Sequence, residues 1–121
     1  VIKNLAKTAY IVVKDTVNQK NITIPENEII YAQADNIYAE VVTAQGIFLY
    51  SNKISLLEKE LNEAYFYRSN RSYIVNFNYI IGYSKKEIEF SNGQKALISS
   101  SKFKDFKSKY LNYLKRKSIG E

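Results

Sequence analysis

Turn-forming residues cut this chain into short apolar runs, and that punctuation directs it toward an antiparallel β domain. Tyr10-Ile-Val-Val-Lys14 is β-branched and stops at a turn over Asp15 to Lys20, after which Asn21-Ile-Thr-Ile24 returns as the second strand of a hairpin. Pro25 and Asn27 break the chain ahead of Glu28-Ile-Ile-Tyr-Ala-Gln-Ala34. Asp35-Asn36 then turns it into Ile37-Tyr-Ala-Glu-Val-Val-Thr43, and Ala44-Gln45-Gly46 turns it again into Ile47-Phe-Leu-Tyr50. Further on, Tyr79 to Tyr83 and Glu87 to Ser91 read as strands. Asn92-Gly93 is the dipeptide best suited to a tight hairpin, because both positions accept positive φ, and Gln94 to Ile98 is the partner strand.

Only two stretches carry helical spacing. Ile54, Leu56, Leu57 and Leu61 predict a short helix capped by Ser51 or Asn52. Phe103, Phe106, Tyr110, Tyr113 and Leu114 predict a final helix through about Lys115, with Ser99-Ser100-Ser101 supplying capping hydroxyls. No β-α-β alternation demands a parallel sheet, so the expected fold is mainly β: an antiparallel β-strand domain with a short internal helix and a C-terminal helix. Residues 10–117 are expected to form that domain, 1–9 a linker or lead-in segment, and 118–121 a frayed tail.

The net charge of +6 is unevenly placed. Residues 1–60 carry six Lys/Arg against seven acids, and residues 61–121 carry twelve against five. A local excess of this kind raises the encounter rate with polyanions. The chain has no His and no Cys, so Ser-His-Asp and Cys-His arrangements and the usual zinc sets cannot be assembled. Gly46, Gly82, Gly93 and Gly120 stand alone, which excludes a P-loop and a dinucleotide fingerprint. The carboxylate pairs Glu26/Glu28, Glu58/Glu60 and Glu87/Glu89 sit at element ends or among lysines and read as solvated faces. The chain therefore reads as a binding protein without enzymatic activity, cofactor or metal. No apolar run reaches membrane-spanning length and no secretory signal opens the chain, so a cytoplasmic protein without a membrane partner is expected.

The segment Phe66 to Asn76 packs two guanidinium groups, amides and hydroxyls between aromatic anchors. Arg can grip a phosphate or a guanine edge with its fork, Asn can pair with adenine, and Ser can donate to a phosphate oxygen. Arg68 emerges directly from the apolar cluster and is the better candidate for a structural ion pair, with Glu63 or Asp35. Arg71 is expected to point outward. Asn76 reads as a local cap, and Tyr73 and Val75 as anchors. Core burial is the expected state of Tyr38. Ser100, Ser101 and Lys102 lie at the expected helix N-terminus, where free backbone amides favour a phosphate, and Lys104 and Lys107 extend that basic surface.

Phe66-Tyr-Arg-Ser-Asn-Arg-Ser-Tyr-Ile-Val-Asn76 closely resembles the Phe-Tyr/Phe-Arg-x-His-Arg/Asn-Ser-Tyr/Phe-x-Val-Asn signature of LytTR-type DNA-binding domains, with Asn70 where that family commonly has His. Ile29-Ile-Tyr-Ala-Gln-Ala-Asp-Asn-Ile-Tyr38 is similar to the same family's Ile-Ile-Tyr-Ile-Glu-Ala-x-Gly-Asn-Tyr, and the resemblance runs from roughly Tyr10 to Leu114. It implies an elongated, mostly β architecture and sequence-specific binding of double-stranded DNA by the output half of a two-component response regulator. The matching contact positions are Asn36, Ile37 and Tyr38, then Arg68, Asn70, Arg71 and Ser72, then Ser100, Ser101 and Lys102, and Lys104 and Lys107 on the basic helix are expected to clamp the DNA backbone beside them. Ser-Ser-Ser-Lys replaces the family's Ser-Arg-Arg or Ser-x-Arg, which makes Lys102 a phosphate contact in preference to a base reader. The resemblance further implies promoter sites in direct repeat, a dimer on DNA, and a receiver domain on the same chain. A start at Val1 in place of Met agrees with a piece of a longer protein.

Two other readings use the same residues. Eleven tyrosines could stack the bases of single-stranded RNA or DNA, although no RNP1-like run is present. The basic final helix could instead bind a protein or an anionic membrane surface, provided it exposes its Phe and Tyr residues.

Overall fold

The computed structural model describes residues 9–120, so all of the lead-in segment except Ala9, together with Glu121, lies outside the described residues. The chain forms β1 (Tyr10–Asp15), β2 (Lys20–Pro25), β3 (Ile29–Asp35), β4 (Tyr38–Thr43) and β5 (Gly46–Tyr50), then α1 (Ile54–Glu60). There follow β6 (Phe66–Asn70), β7 (Tyr73–Asn76), β8 (Ile80–Tyr83), β9 (Glu87–Phe90), β10 (Lys95–Leu97) and α2 (Phe103–Ser118). Every pairing is antiparallel. A seven-stranded sheet has the order β2-β1-β5-β4-β3-β7-β6, and a three-stranded sheet the order β10-β9-β8. The mainly β expectation holds.

The large sheet divides two cores. On one face Ile11, Val13, Ile29, Ala39, Val41 and Ile74 pack with Ile54, Leu57 and Leu61 in and after α1. This cluster is chiefly aliphatic, as alternating β-branched strands and a short leucine-bearing helix require. On the other face Tyr31, Val42, Tyr67 and Val75 meet the small sheet and α2 in a second, aromatic cluster. Tyr31 stacks on Phe90 at 5.0 Å, and Phe77 lies within 6.3 Å of the rings of Tyr67, Phe106, Tyr110 and Tyr113. The i, i+4, i+7 spacing of Phe106, Tyr110 and Tyr113 puts these rings on one face of α2, and full burial of a ring such as Phe106 contributes about 1.5–3 kcal/mol.

Several local expectations are corrected. The segment Phe66 to Asn76 is a strand pair closed by Arg71-Ser72, where the sequence suggested a contact loop. Neither Ser51 nor Asn52 caps α1; the cap position is Lys53, without a side-chain bond, because the helix begins where Ile54 and Leu57 enter the core. Ser99 to Ser101 likewise give no capping bond. Ser100–Lys102 forms a 3-10 turn, and α2 starts at Phe103 and continues past Lys115 to Ser118. The carboxylate pairs are not uniformly solvated: Glu26 is buried and accepts the Asn62 amide at 3.0 Å, Glu58 pairs with Arg68, and Glu60 accepts the Tyr50 hydroxyl. No helix among the described residues is long and apolar enough to cross a membrane.

Candidate nucleic-acid interface

The three segments expected to contact DNA are brought together by backbone hydrogen bonds between elements remote in sequence. β3 pairs with β7 at Gln33↔Tyr73, so the turn that leaves β3 and the turn that enters β7 lie at the same end of the sheet. Ala34 N–H donates to the Ser72 carbonyl at 2.8 Å and ties the two turns together. On the far side of β6, Ser99 N–H donates to the Ser69 carbonyl at 2.9 Å, and the fully buried Ser69 hydroxyl donates to the Leu97 carbonyl at 2.7 Å. The Ser100–Lys102 turn is thereby anchored beside the Asn70-Arg71 turn.

Asn36 and Ile37 form a two-residue loop between the paired residues Asp35 and Tyr38. Asn36 has φ +61°, a left-handed conformation that Asn tolerates better than other side-chain-bearing residues. Ile37 and Tyr38 are 57% and 40% exposed. The expected burial of Tyr38 is therefore corrected. Along β4, Val42 is buried by the aromatic core, Glu40 is half-buried and Tyr38 is exposed, because cover on that face runs out before the turn.

The two arginines of the signature separate sharply. Arg68, with its side chain 19% exposed, donates Nη1 to Glu58 at 2.7 Å, Nε to the Asn70 carbonyl at 3.1 Å and Nη2 to the Arg71 carbonyl at 2.5 Å. Its ion-pair partner is Glu58 on α1, not Glu63 or Asp35. This engagement gives Arg68 a structural task inside the turn. Arg71 is exposed, and its guanidinium makes no ion pair or hydrogen bond among the described residues. Asn70 accepts the Ser72 amide on Oδ1 at 2.7 Å, which leaves its NH2 group without a bond among the described residues. Asn76 is buried, accepting from Asn78 N–H at 2.9 Å and donating to the Ile29 carbonyl at 2.8 Å, and Val75 is core, so these residues anchor the hairpin as expected.

The third segment is basic and exposed. Ser100, Ser101, Lys102, Lys104 and Lys107 all face solvent. Lys102 Nζ lies 5.8 Å from the centre of the Tyr67 ring, and Lys107 Nζ 5.3 Å from that of Phe103, within cation–π range. The Tyr67 hydroxyl donates to Asp105 at 2.8 Å; burial, and then that carboxylate, push its pKa well above the usual phenol range and keep it a donor. The ion pairs among the described residues are Arg68–Glu58 and Lys95–Glu87, so Arg71, Lys102, Lys104 and Lys107 keep their charge free for an outside anion.

Nothing in the sequence signalled the roles of Glu58, read there as part of a solvated carboxylate pair, or of Ser69. Their partners are ten and twenty-eight residues away, beyond any local pattern. Four tyrosines, Tyr31, Tyr50, Tyr67 and Tyr113, are buried and cannot stack on bases, whereas Tyr10, Tyr38 and Tyr83 stay exposed, Tyr83 while also packing against Phe103, Phe106 and Tyr110. Phe106 and Tyr113 of α2 are likewise consumed by the core, while Leu111 and Leu114 are exposed, so Leu114 falls outside the buried stripe in which the sequence placed it.

The family model of the LytTr DNA-binding domain matches residues 19–111. Among solved structures, a LytTr DNA-binding domain from Bacillus cereus has a TM-score of 0.74 at 21% identity, over 85% of this chain and 97% of that one. At that identity the likeness is one of fold. None of the curated proteins matches the chain.

Proposed function

Because the chain belongs to the LytTr DNA-binding domain family, we propose that it recognises a specific double-stranded DNA sequence through its three linked loops. The observation that carries this reading is their joining through Ala34–Ser72 and Ser99–Ser69, which presents Asn36 to Tyr38, Asn70-Arg71 and Ser100 to Lys102 as one surface. Arg71 and Asn70 are the base readers, since an unengaged guanidinium fork and a free amide can meet purine edges in the major groove. Asn36, Ile37 and Tyr38 form the second reading loop, where exposed apolar surface suits a thymine methyl. Ser72, Ser100, Ser101, Lys102, Lys104 and Lys107 hold phosphates and set the register. Arg68 serves the interface from behind, by holding the turn.

In this reading the domain is the output half of a cytoplasmic response regulator, joined to a receiver on the same chain, and binds direct repeats as a dimer. It acts by binding, with no cofactor or metal. Selection of bound duplexes from a random pool tests the specificity, and titration of the selected duplex across salt concentrations tests the phosphate contacts. A defined motif and a steep loss of affinity with salt are expected, because each phosphate neutralised releases counterions. A pool with no enriched motif removes sequence recognition, and salt-insensitive binding removes the phosphate clamp.

A further inference from the structure

The β6–β7 turn lacks the backbone geometry that ordinarily closes a two-residue hairpin. Such loops favour positive φ at one or both central residues, because that twist matches the twist of the flanking strands. Gln19 and Asn36 are the described non-glycine residues with positive φ, so Arg71 and Ser72 have none. The strands compensate with a register shift between Arg68 and Asn70, a local irregularity that turns the chain at Ser69. Side chains do the rest. Asn70 Oδ1 accepts the Ser72 amide, and the Arg68 fork grips the carbonyls of Asn70 and Arg71. The remaining arm of that fork, Nη1, is held by Glu58 at 2.7 Å.

We propose that Glu58 of α1 is a positioning residue for DNA recognition: it fixes the Arg68 guanidinium against the Asn70 and Arg71 carbonyls, and so fixes the turn that presents Asn70 and Arg71. This rests on the reading of that turn as a base-contacting loop. Arg71 sits at the tip of the turn, where a small rotation would displace the end of its long side chain, so the support behind the turn affects recognition as well as Arg71's own identity. Because Glu58 is 48% exposed and Arg68 19%, the pair contributes more to orientation than to stability.

The test uses the duplex recovered by selection and a scrambled copy of it. Glu58→Ala removes a negative charge from a basic protein, so electrostatics alone would strengthen binding to both duplexes. Positioning has the opposite consequence for the selected duplex: affinity falls roughly threefold to tenfold, the scrambled duplex binds as before or more tightly, and thermal unfolding stays close to that of the wild type. Arg68→Lys keeps the charge but loses the planar fork, and should give a similar loss that does not add to that of Glu58→Ala. A Glu58→Ala protein that retains the wild-type preference overturns the proposal. Hydrogen exchange at the Ser72 amide, measured without DNA, reads the turn directly: faster exchange in Glu58→Ala supports the proposal, and unchanged exchange overturns it. If selection returns no preferred duplex, it is the DNA-reading function that fails, and the Ser72 exchange decides alone whether Glu58 holds the turn.

Discussion

The β3–β4 and β6–β7 turns lie side by side, bonded through Ala34 and Ser72, and each spans two residues, yet they are closed by different means. The first is self-sufficient. Asn36 adopts φ +61°, and the flanking pair Asp35↔Tyr38 continues the ladder to the turn with no side-chain hydrogen bond closing it among the described residues. The second has no such residue and depends on Asn70, Arg68 and, through Arg68, on α1. A turn closed by local preference carries its information in one or two residues. A turn closed from outside can be altered from a distance, and the turn that carries Arg71 is tied through Arg68 to a helix remote from it in sequence.

The largest effect that would sharpen this contrast lies at the tip of the dependent turn. Arg71→Ala should cost about 1–3 kcal/mol of discrimination between the selected and a scrambled duplex, the value of one bidentate base contact, while thermal unfolding is unchanged. Unaltered discrimination would show that the turn is held for some other purpose. The self-sufficient turn should respond in stability. Asn36→Ala forces a left-handed conformation on a residue that resists it and should cost about 1 kcal/mol in denaturant unfolding, whereas Asn36→Gly should be close to neutral. If both variants behave alike, backbone strain is not what Asn36 relieves, and the proposed difference between the turns disappears. Lys107→Ala, on α2 and outside both turns, should give the smallest change. It should weaken the selected and scrambled duplexes equally and reduce the slope of log affinity against log salt by about 1. A selective loss for the selected duplex would move Lys107 from phosphate holding to sequence reading.

Much of the fold was legible from local chemistry. Pro25, Asn36, Gly46 and Asn92-Gly93 mark real turns, although of that dipeptide only Gly93, at φ +87°, takes the positive φ expected of both. The aromatic spacing of α2 locates its buried face correctly at Phe106 and Tyr113. The β6–β7 strands were missed because Arg68, Ser69, Asn70, Arg71 and Ser72 interrupt hydrophobic alternation, and no glycine marks the turn. Tyr38 was expected in the core because it begins an apolar strand. Its exposure depends on where the small sheet stops covering β4, a property of neither strand alone. The serine caps failed for a related reason: the depth to which Ile54 and Phe106 are drawn into their cores sets where each helix starts, and hydroxyls nearby in sequence had no say.

By itself, the sequence determined the antiparallel character of the domain, the spacing of its last helix, the basic second half and the family signature, because each depends on residues close together along the chain. The tertiary structure alone decided that the partner of Arg68 is Glu58, in place of Glu63 or Asp35, and that backbone hydrogen bonds tie three loops together. Those outcomes rest on Arg68 meeting Glu58, Ala34 meeting Ser72, and Ser99 meeting Ser69. Such contacts follow from the order β4-β3-β7-β6 and the packing of α1 on that sheet, which bring together groups that no short-range preference relates.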